Sequence, residues 1–299
     1  MPVYTKDFSE LLEPTLRVVY DDSDRAWAPE WSQIFSVENS SKAAETDFST
    51  TGLGLTQSYA EGEDVPFDTV YRGFKKVYTH LQYGLGVIIT RIMYEDDQYR
   101  HMKAKPQALA RSANEAIEIN CANILNRAFS SSYTGGDAKE LCATDHPLAG
   151  GGTFSNELAT AADLDVTSFE QALIDIGDFK NERGLKYRAM PQKLVVSTTN
   201  AFMAQQILKS AQIPGSNYND VNPAFNVLPG GHQIMHYLTD ADAWFITTDA
   251  PNGLLFFWRR NKEFSNDSDW NSDNAKYKVT YRCIQGWTEP RCIFGSPGA

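Results

Sequence analysis

PQALARSANEAIEINCANILNRAF, residues 106–129, is the stretch on which the fold turns. Leu109, Ala113, Ala116, Ile117, Cys121, Ile124 and Ala128 recur at spacings of three and four, which lays one apolar stripe along a long helix. Pro106 suits the first turn, where its missing N–H would have no intrahelical partner. The small, turn-prone run SSSYTGG after Phe129 ends the pattern.

Downstream, a shorter helix is predicted over Ser168 to Arg183, with a T-x-x-E capping box at Thr167 and Glu170 and Gly184 as its C-cap. Leu194 to Thr198 reads as a buried strand leading straight into a helix from Asn200 to Ala211, which Pro214 and Gly215 shut off. Strand chemistry then recurs at Gln233 to Leu238, Ala243 to Thr248 and Leu254 to Trp258, and, beyond an acidic polar linker, at Tyr277 to Gln285 and Arg291 to Phe294. The layout is α+β with no internal repeat.

Upstream of the long helix, Val65 to Tyr94 is rich in β-branched and aromatic residues punctuated by Gly73, Gly84 and Gly86, which predicts a long two-stranded excursion with turns near Arg72 to Lys76 and Gln82 to Gly86. An isolated hairpin is only marginally stable, so one this long needs a surface to lean on. The segment before it, to about Gly62, has no sustained period and reads as an arm. Its aromatics Trp27, Trp31 and Phe35 need a surface, which either a neighbouring subunit or their own chain could supply.

Composition narrows the function. The 299 residues are 42% hydrophobic and 22% charged, which excludes a disordered chain. No apolar run approaches the roughly 20 residues that cross a bilayer, and the N-terminus lacks the apolar stretch of a secretory signal, so a cytoplasmic site of synthesis and no membrane partner are expected. Four scattered cysteines, Cys121, Cys142, Cys283 and Cys292, form no CxxC pair. A net charge of -11 argues against gripping nucleic acid through its phosphates.

Constellations that could carry chemistry are weak. His232 and His236 are four apart with Asp240 and Asp242 nearby, but on a strand they would stand roughly 13 Å apart, too far to share one ion. Asp267, Asp269, Asn271 and Asp273 alternate as in a calcium loop, yet Ser272 and Lys278 stand where glycine and glutamate are needed. Cys142, Asp145 and His146 are close in sequence without an orienting partner, and Gly150 to Gly152 lacks the lysine of a phosphate loop. There is no nucleophile elbow and no HExxH. No cofactor, no metal and no catalytic residue are therefore expected.

The order of segments resembles the major capsid (head) proteins of tailed bacteriophages. Similar sequences carry a helix ending like Ile124-Leu125-Asn126-Arg127-Ala128-Phe129 and a loop like Leu141-Cys142-Ala143-Thr144-Asp145-His146-Pro147. They also have a stretch like Leu238-Thr239-Asp240-Ala241-Asp242-Ala243-Trp244 and an ending like Gly286-Trp287-Thr288-Glu289-Pro290-Arg291. The resemblance implies an arm over 1–62, an extended β-hairpin loop over 63–94, and a peripheral domain with a spine helix over 95–183. An axial domain over 184–264 and a return to the peripheral domain over 265–299 complete it. It further implies self-assembly into hexamers and pentamers of an icosahedral head that encloses double-stranded DNA without sequence-specific binding. A separate scaffolding protein, a portal protein and a decoration protein would be partners, and the virion the destination, reached by assembly in the host cytoplasm. Trp27, Trp31, Phe35, Arg72, Lys75 and Lys76 are the expected inter-subunit contacts. Lys75 and Lys76 have no matching asparagine and glutamate for the isopeptide crosslink of some members. The alternatives are an encapsulin-like compartment shell and, more remotely, a metal-dependent enzyme using His232 and His236.

Overall fold

The computed structural model describes residues 7–49, 51–70, 72–96, 99–212, 220–268 and 274–299. In chain order these form α1 (Asp7–Ala26), β1 (Ser36–Asn39), β2 (Ala44–Phe48), β3 (Lys75–Thr79), β4 (Leu81–Ile89), α2 (Arg91–Glu95) and α3 (Tyr99–Asn126). Two short strands follow, β5 (His146–Pro147) and β6 (Thr153–Phe154), then α4 (Val166–Gly177), β7 (Pro191–Val196), α5 (Ala201–Lys209), β8 (His232–Ile234) and β9 (Trp244–Thr248). The chain ends with β10 (Leu254–Ser268), β11 (Ala275–Trp287) and β12 (Ile293–Ser296).

Two four-stranded sheets organise these elements. The first runs β1-β10-β11-β4 around an antiparallel ribbon whose register extends from Leu254 opposite Trp287 to Ser268 opposite Ala275. Val279, Tyr281 and Cys283 of β11 fall on one face by the two-residue period, and α3 covers them with Leu109, Ala113, Ile117, Cys121 and Leu125. Small residues at Ala110, Ala113 and Ala122 let this helix sit close to its neighbours. The second helix on that face is α1, fixed by a Tyr20–Phe264 ring stack at 4.8 Å and by Lys262, whose ammonium bonds Asp24 and, at 2.7 Å, Asn114.

The second sheet runs β12-β9-β7-β8. β7, α5 and the parallel strand β8 realise the strand-then-helix unit read from the sequence. Its core joins Phe169, Ala172 and Ile176 of α4 to Ile207 and Leu208 of α5, with Trp244, Ile246 and Phe294 from the sheet.

Several expectations need correction. The first 62 residues are not all irregular, because residues 7–26 form α1. The helix around residue 106 begins at Tyr99, so Pro106 lies inside it. Losing one backbone bond there costs about 3 kcal/mol, which the buried stripe from Met102 to Leu125 offsets. The capping box of α4 is Asp165 with Ser168, whose hydroxyl accepts the Asp165 N–H at 2.9 Å, in place of Thr167 with Glu170. Gly184, at φ +78, belongs to a later turn.

The two strands near 63–94 do not pair with each other. β3 pairs with β2, whereas β4 joins β11 and extends the first sheet, so the two-stranded excursion spans 44–79. β10 belongs to the first sheet, not with the strands of the expected axial unit, and β12 pairs with β9 of the second sheet, not with the peripheral strands. The stop signal Pro214–Gly215 and the positions Asp269, Asn271 and Asp273 lie outside the described residues.

A buried polar hub pins the segment between β11 and β12 to the loops around it. Asn156 Nδ2 faces the carbonyls of Leu141 (2.8 Å), Pro290 (2.9 Å) and Ile293 (3.1 Å), while its Oδ1 accepts from Ala143 N (2.8 Å) and faces His146 Nε2 (3.1 Å). Arg291, 2% exposed, bonds Glu289 at 2.5 Å, Glu182 at 2.9 Å and the Lys180 carbonyl at 2.7 Å, and stacks over Phe154. Each buried group left unpaired costs about 1–3 kcal/mol. Asn156→Leu keeps the volume and strips the bonds, so it should cost about 3 kcal/mol or more in a urea titration; a loss below about 1 kcal/mol would mean that water replaces the amide.

Candidate interaction surfaces

Beyond β2 and β3 the described residues 51–70 are almost all exposed, and their apolar side chains have little to cover them. Phe67 is 96% exposed, Leu55 76% and Leu53 62%, in a stretch that also exposes Tyr59, Val65 and Val70. Contiguous apolar exposure of this kind marks an interaction site.

Arg183, on the turn after α4, anchors the stem of this excursion. Its guanidinium pairs with Asp68 at 2.8 Å, donates to the Thr69 carbonyl and reaches the Gly52 carbonyl at 3.4 Å. Gly54 N–H, at 2.7 Å from Asp68, is the main reason that this carboxyl is held below its ordinary value, with the Thr69 N–H and the Arg183 charge adding to it. At the base, Tyr78 packs on Leu255 and Phe257, and its hydroxyl meets Thr288 at 2.6 Å. That ring lies where a side chain at Gly286 would be, 2.6 Å from the position of a Cβ, so glycine is required there.

A second exposed apolar group lies on α5 and the loop after it, where Phe202 is 83% and Val221 79% exposed. Asn222 holds that loop against the end of α5 through the carbonyls of Ile207 (2.7 Å) and Ser210 (2.8 Å).

The six expected contact residues divide. Trp31 and Phe35 are buried in their own chain's core, Trp31 stacking on Phe256 at 4.2 Å, so their own chain supplies the surface. Trp27 is partly buried, with its indole 3.5 Å from Glu118. Glu118 also accepts from Glu30 N at 2.8 Å and Trp31 N at 3.2 Å, and burial raises its pKa. Lys76 is half-buried, donating to the Thr134 carbonyl at 2.7 Å over the Trp287 ring, and burial lowers its pKa. Lys75 and Arg72 are exposed, with Arg72 5.4 Å from the Phe48 ring. Sequence reasoning missed Arg183 and the 51–60 half of the tip, because neither carries a motif.

The candidate chemical groups do not assemble. His236 is held by Glu30, at its N–H (3.0 Å) and at its ring, while His232 sits on β8. Among the described residues no cluster of three His, Cys, Asp or Glu could hold a metal ion. His146 turns its two nitrogens to Asp137 (2.6 Å) and Asn156, and Asp145 pairs with Lys139 at 2.6 Å, so the Cys142, Asp145 and His146 run forms no nucleophile pair.

Comparison with known proteins fits a chain whose features are surfaces. The profile of the phage capsid protein family matches residues 74–295, about three quarters of the chain. No curated protein sequence matches. Among solved structures, the procapsid of bacteriophage JBD30 superposes with a TM-score of 0.56 at 15% identity, covering 98% of this chain and 76% of that one. The capsid of a native GTA particle gives 0.56 at 15% identity over 92% of both chains. A virus-like particle from Pyrococcus furiosus gives 0.52 at 10% identity, over 94% of this chain and 97% of the other. These likenesses show the tailed-phage capsid fold.

All four thiols are buried, and burial raises every one, Cys283 to about 12 and Cys121, Cys142 and Cys292 upward as well. A thiolate is the reactive form, so the native protein at pH 8 should give no reaction with Ellman's reagent and four equivalents after denaturation. One fast equivalent in the native state would overturn this.

Proposed function

This chain belongs to the phage capsid protein family and is a structural subunit of a phage head shell, and from that premise we propose how its parts serve assembly. The family match over residues 74–295 is the observation that carries the reading. Copies associate with one another into the hexamers and pentamers of an icosahedral head, through heterologous contacts that close into rings. The excursion over 44–79 reaches a neighbouring subunit and covers its own exposed apolar residues there. Many weak contacts of this type add up across a closed lattice.

In this proposal the protein has no catalytic role. Assembly takes place in the host cytoplasm with a separate scaffolding protein, and the finished head carries a portal protein at one vertex and accepts a decoration protein. The charge of -11 keeps the subunit from clinging to the double-stranded DNA inside. Arg72 and Lys75 meet acidic groups of a neighbour at the base of the excursion; Lys76 is occupied within its own chain. The compartment reading keeps the same fold and differs in the contents of the shell.

Negative-stain electron microscopy of the purified protein, alone and with a co-expressed scaffolding protein, should give closed shells or free hexamers and pentamers. A monomer under both conditions would overturn the assembly proposal, and shells filled with a cargo enzyme would favour the compartment. Arg72→Glu with Lys75→Glu should reduce the yield of shells; an unchanged yield would remove these two residues from the contact.

A further inference from the structure

The β10–β11 ribbon carries a conflict of charge near its middle. Its register passes from Trp258 opposite Cys283 to Arg260 opposite Arg282 and then to Glu263 opposite Thr280, so β10 holds an extra residue on each side of Arg260. A bulge sets two residues of one strand against one of the other, and Arg259 and Arg260 therefore both oppose Arg282. Like charges directly across a sheet repel and destabilise the pair. The buried Tyr281 and Cys283 flank Arg282, which puts Arg282 on the side away from the helices.

Neighbouring acids do not balance this charge. Arg260 donates from Nη2 to the Thr280 hydroxyl at 3.0 Å, and its Nε lies 3.5 Å from Glu263. Glu45 is taken up by Ser40 at 2.7 Å and Lys42 at 3.0 Å. Arg259 and Arg282 make no ion pair or hydrogen bond with any described residue. The Nε atoms of Arg260 and Arg282 are both buried without a hydrogen-bond acceptor. Burial there fixes the root of each guanidinium, while Arg282 stays half-exposed and Arg259 exposed.

His80 registers the same imbalance. It is 5% exposed, with Nε2 3.0 Å from the Ser40 hydroxyl and a buried Nδ1 that has no partner. Its pKa is lowered first by burial and then by the Arg282 charge, with Arg259 adding to the effect and Glu45 opposing it. Arg259 and Arg282 thus share one neighbourhood, in a chain whose net charge is -11.

We propose that Arg259, Arg260 and Arg282 form a site for a phosphate dianion, either inorganic phosphate or a phosphate monoester. Three guanidinium groups against the Glu263 carboxylate leave two positive charges, which a dianion neutralises. The forked N–H groups of arginine match phosphate oxygens in pairs, and an anion held between opposed arginines replaces their repulsion with attraction. A phosphodiester carries one charge per phosphate and brings a long polyanion toward an acidic protein, so the backbone of a nucleic acid fits the site less well. This site adds a ligand to the subunit and does not depend on how copies meet.

The test is titration calorimetry of the full chain near pH 8, where a phosphate whose second pKa is about 6 is a dianion. Sodium phosphate, sodium chloride at equal ionic strength and a single-stranded oligonucleotide lacking a terminal phosphate are the titrants. One phosphate should bind per chain, with no binding of the other two. Arg259→Gln and Arg282→Gln should each weaken phosphate binding about tenfold, the scale of one charge-assisted hydrogen bond, whereas Arg111→Gln, which removes a charge from α3, should leave it unchanged. Phosphate should also raise the pKa of His80, read from its ring proton by NMR, because it cancels the guanidinium charges that lower it. Phosphate binding no stronger than that of chloride, full retention of binding in the folded arginine variants, or equal binding of the oligonucleotide would each overturn the proposal. If thermal melting shows that Arg282→Gln does not fold, Arg259→Gln, at an exposed position without a partner, decides the outcome.

Discussion

A sheet has two faces, and along the β10–β11 ribbon the described residues bury the helix-facing side and leave much of the other side open. The β10–β11 ribbon is long enough that its helix-facing side takes both α3 and α1, and burying Val279, Tyr281 and Cys283 there builds the main core. The other side receives Tyr78 at one end and then becomes solvent-exposed and cationic. The antiparallel ribbon tolerates one wet face, which leaves this side open. The covered face builds the main core of the subunit, and the other side is left as surface.

The two sheets share the main apolar core, which Val195, Phe245 and Ile293 enter from the second sheet, and buried polar groups fix the arrangement further. Phe294 and Trp244 belong to the second core, whereas Leu141 and Ile293 belong to the first, and the polypeptide crosses between them around Asn156 and Arg291. These side chains bond backbone groups far apart in sequence, such as Leu141 and Pro290, or Lys180 and Arg291. Apolar contacts can slide at small cost, but an amide whose bonds are all made can take only one position. A subunit that must repeat the same contacts many times benefits from such fixed geometry.

What the sequence disclosed follows the range of the forces involved. The long helix was legible because a stripe at spacings of three and four is a local property, and so were α5 and β7, β9 and β11, to within a few residues. The helix α1 was not, because the segment to about Gly62 was read as having no sustained period. Its stability comes from tertiary partners, Phe264 and Lys262, that lie some 240 residues away. Strand partners failed for the same reason: the strand chemistry and punctuating glycines of Val65 to Tyr94 suggested a hairpin, yet β3 pairs with β2 and β4 with β11 near the C-terminus. Trp31 and Phe35 looked like contacts for a neighbour until Phe256 and the surrounding core appeared beneath them.

Net charge concealed a separation of charge over the surface. A total of -11 describes an acidic protein, but the acids of 61–68 and the cations of β10 and β11 occupy different surfaces. The separation has a consequence for how copies meet. Two excursion tips, each carrying Glu61, Glu63 and Asp64 beside the exposed Phe67, repel one another, so the apolar tip is kept from pairing with its own kind despite its exposure. Attraction is left only between unlike surfaces. A contact between unlike surfaces is heterologous, and repeated rotation through such a contact closes rings, whereas a tip-to-tip contact would stop at a two-fold dimer. The acids of the tip and the cations of β10 and β11 therefore mark two surfaces of opposite charge on one subunit.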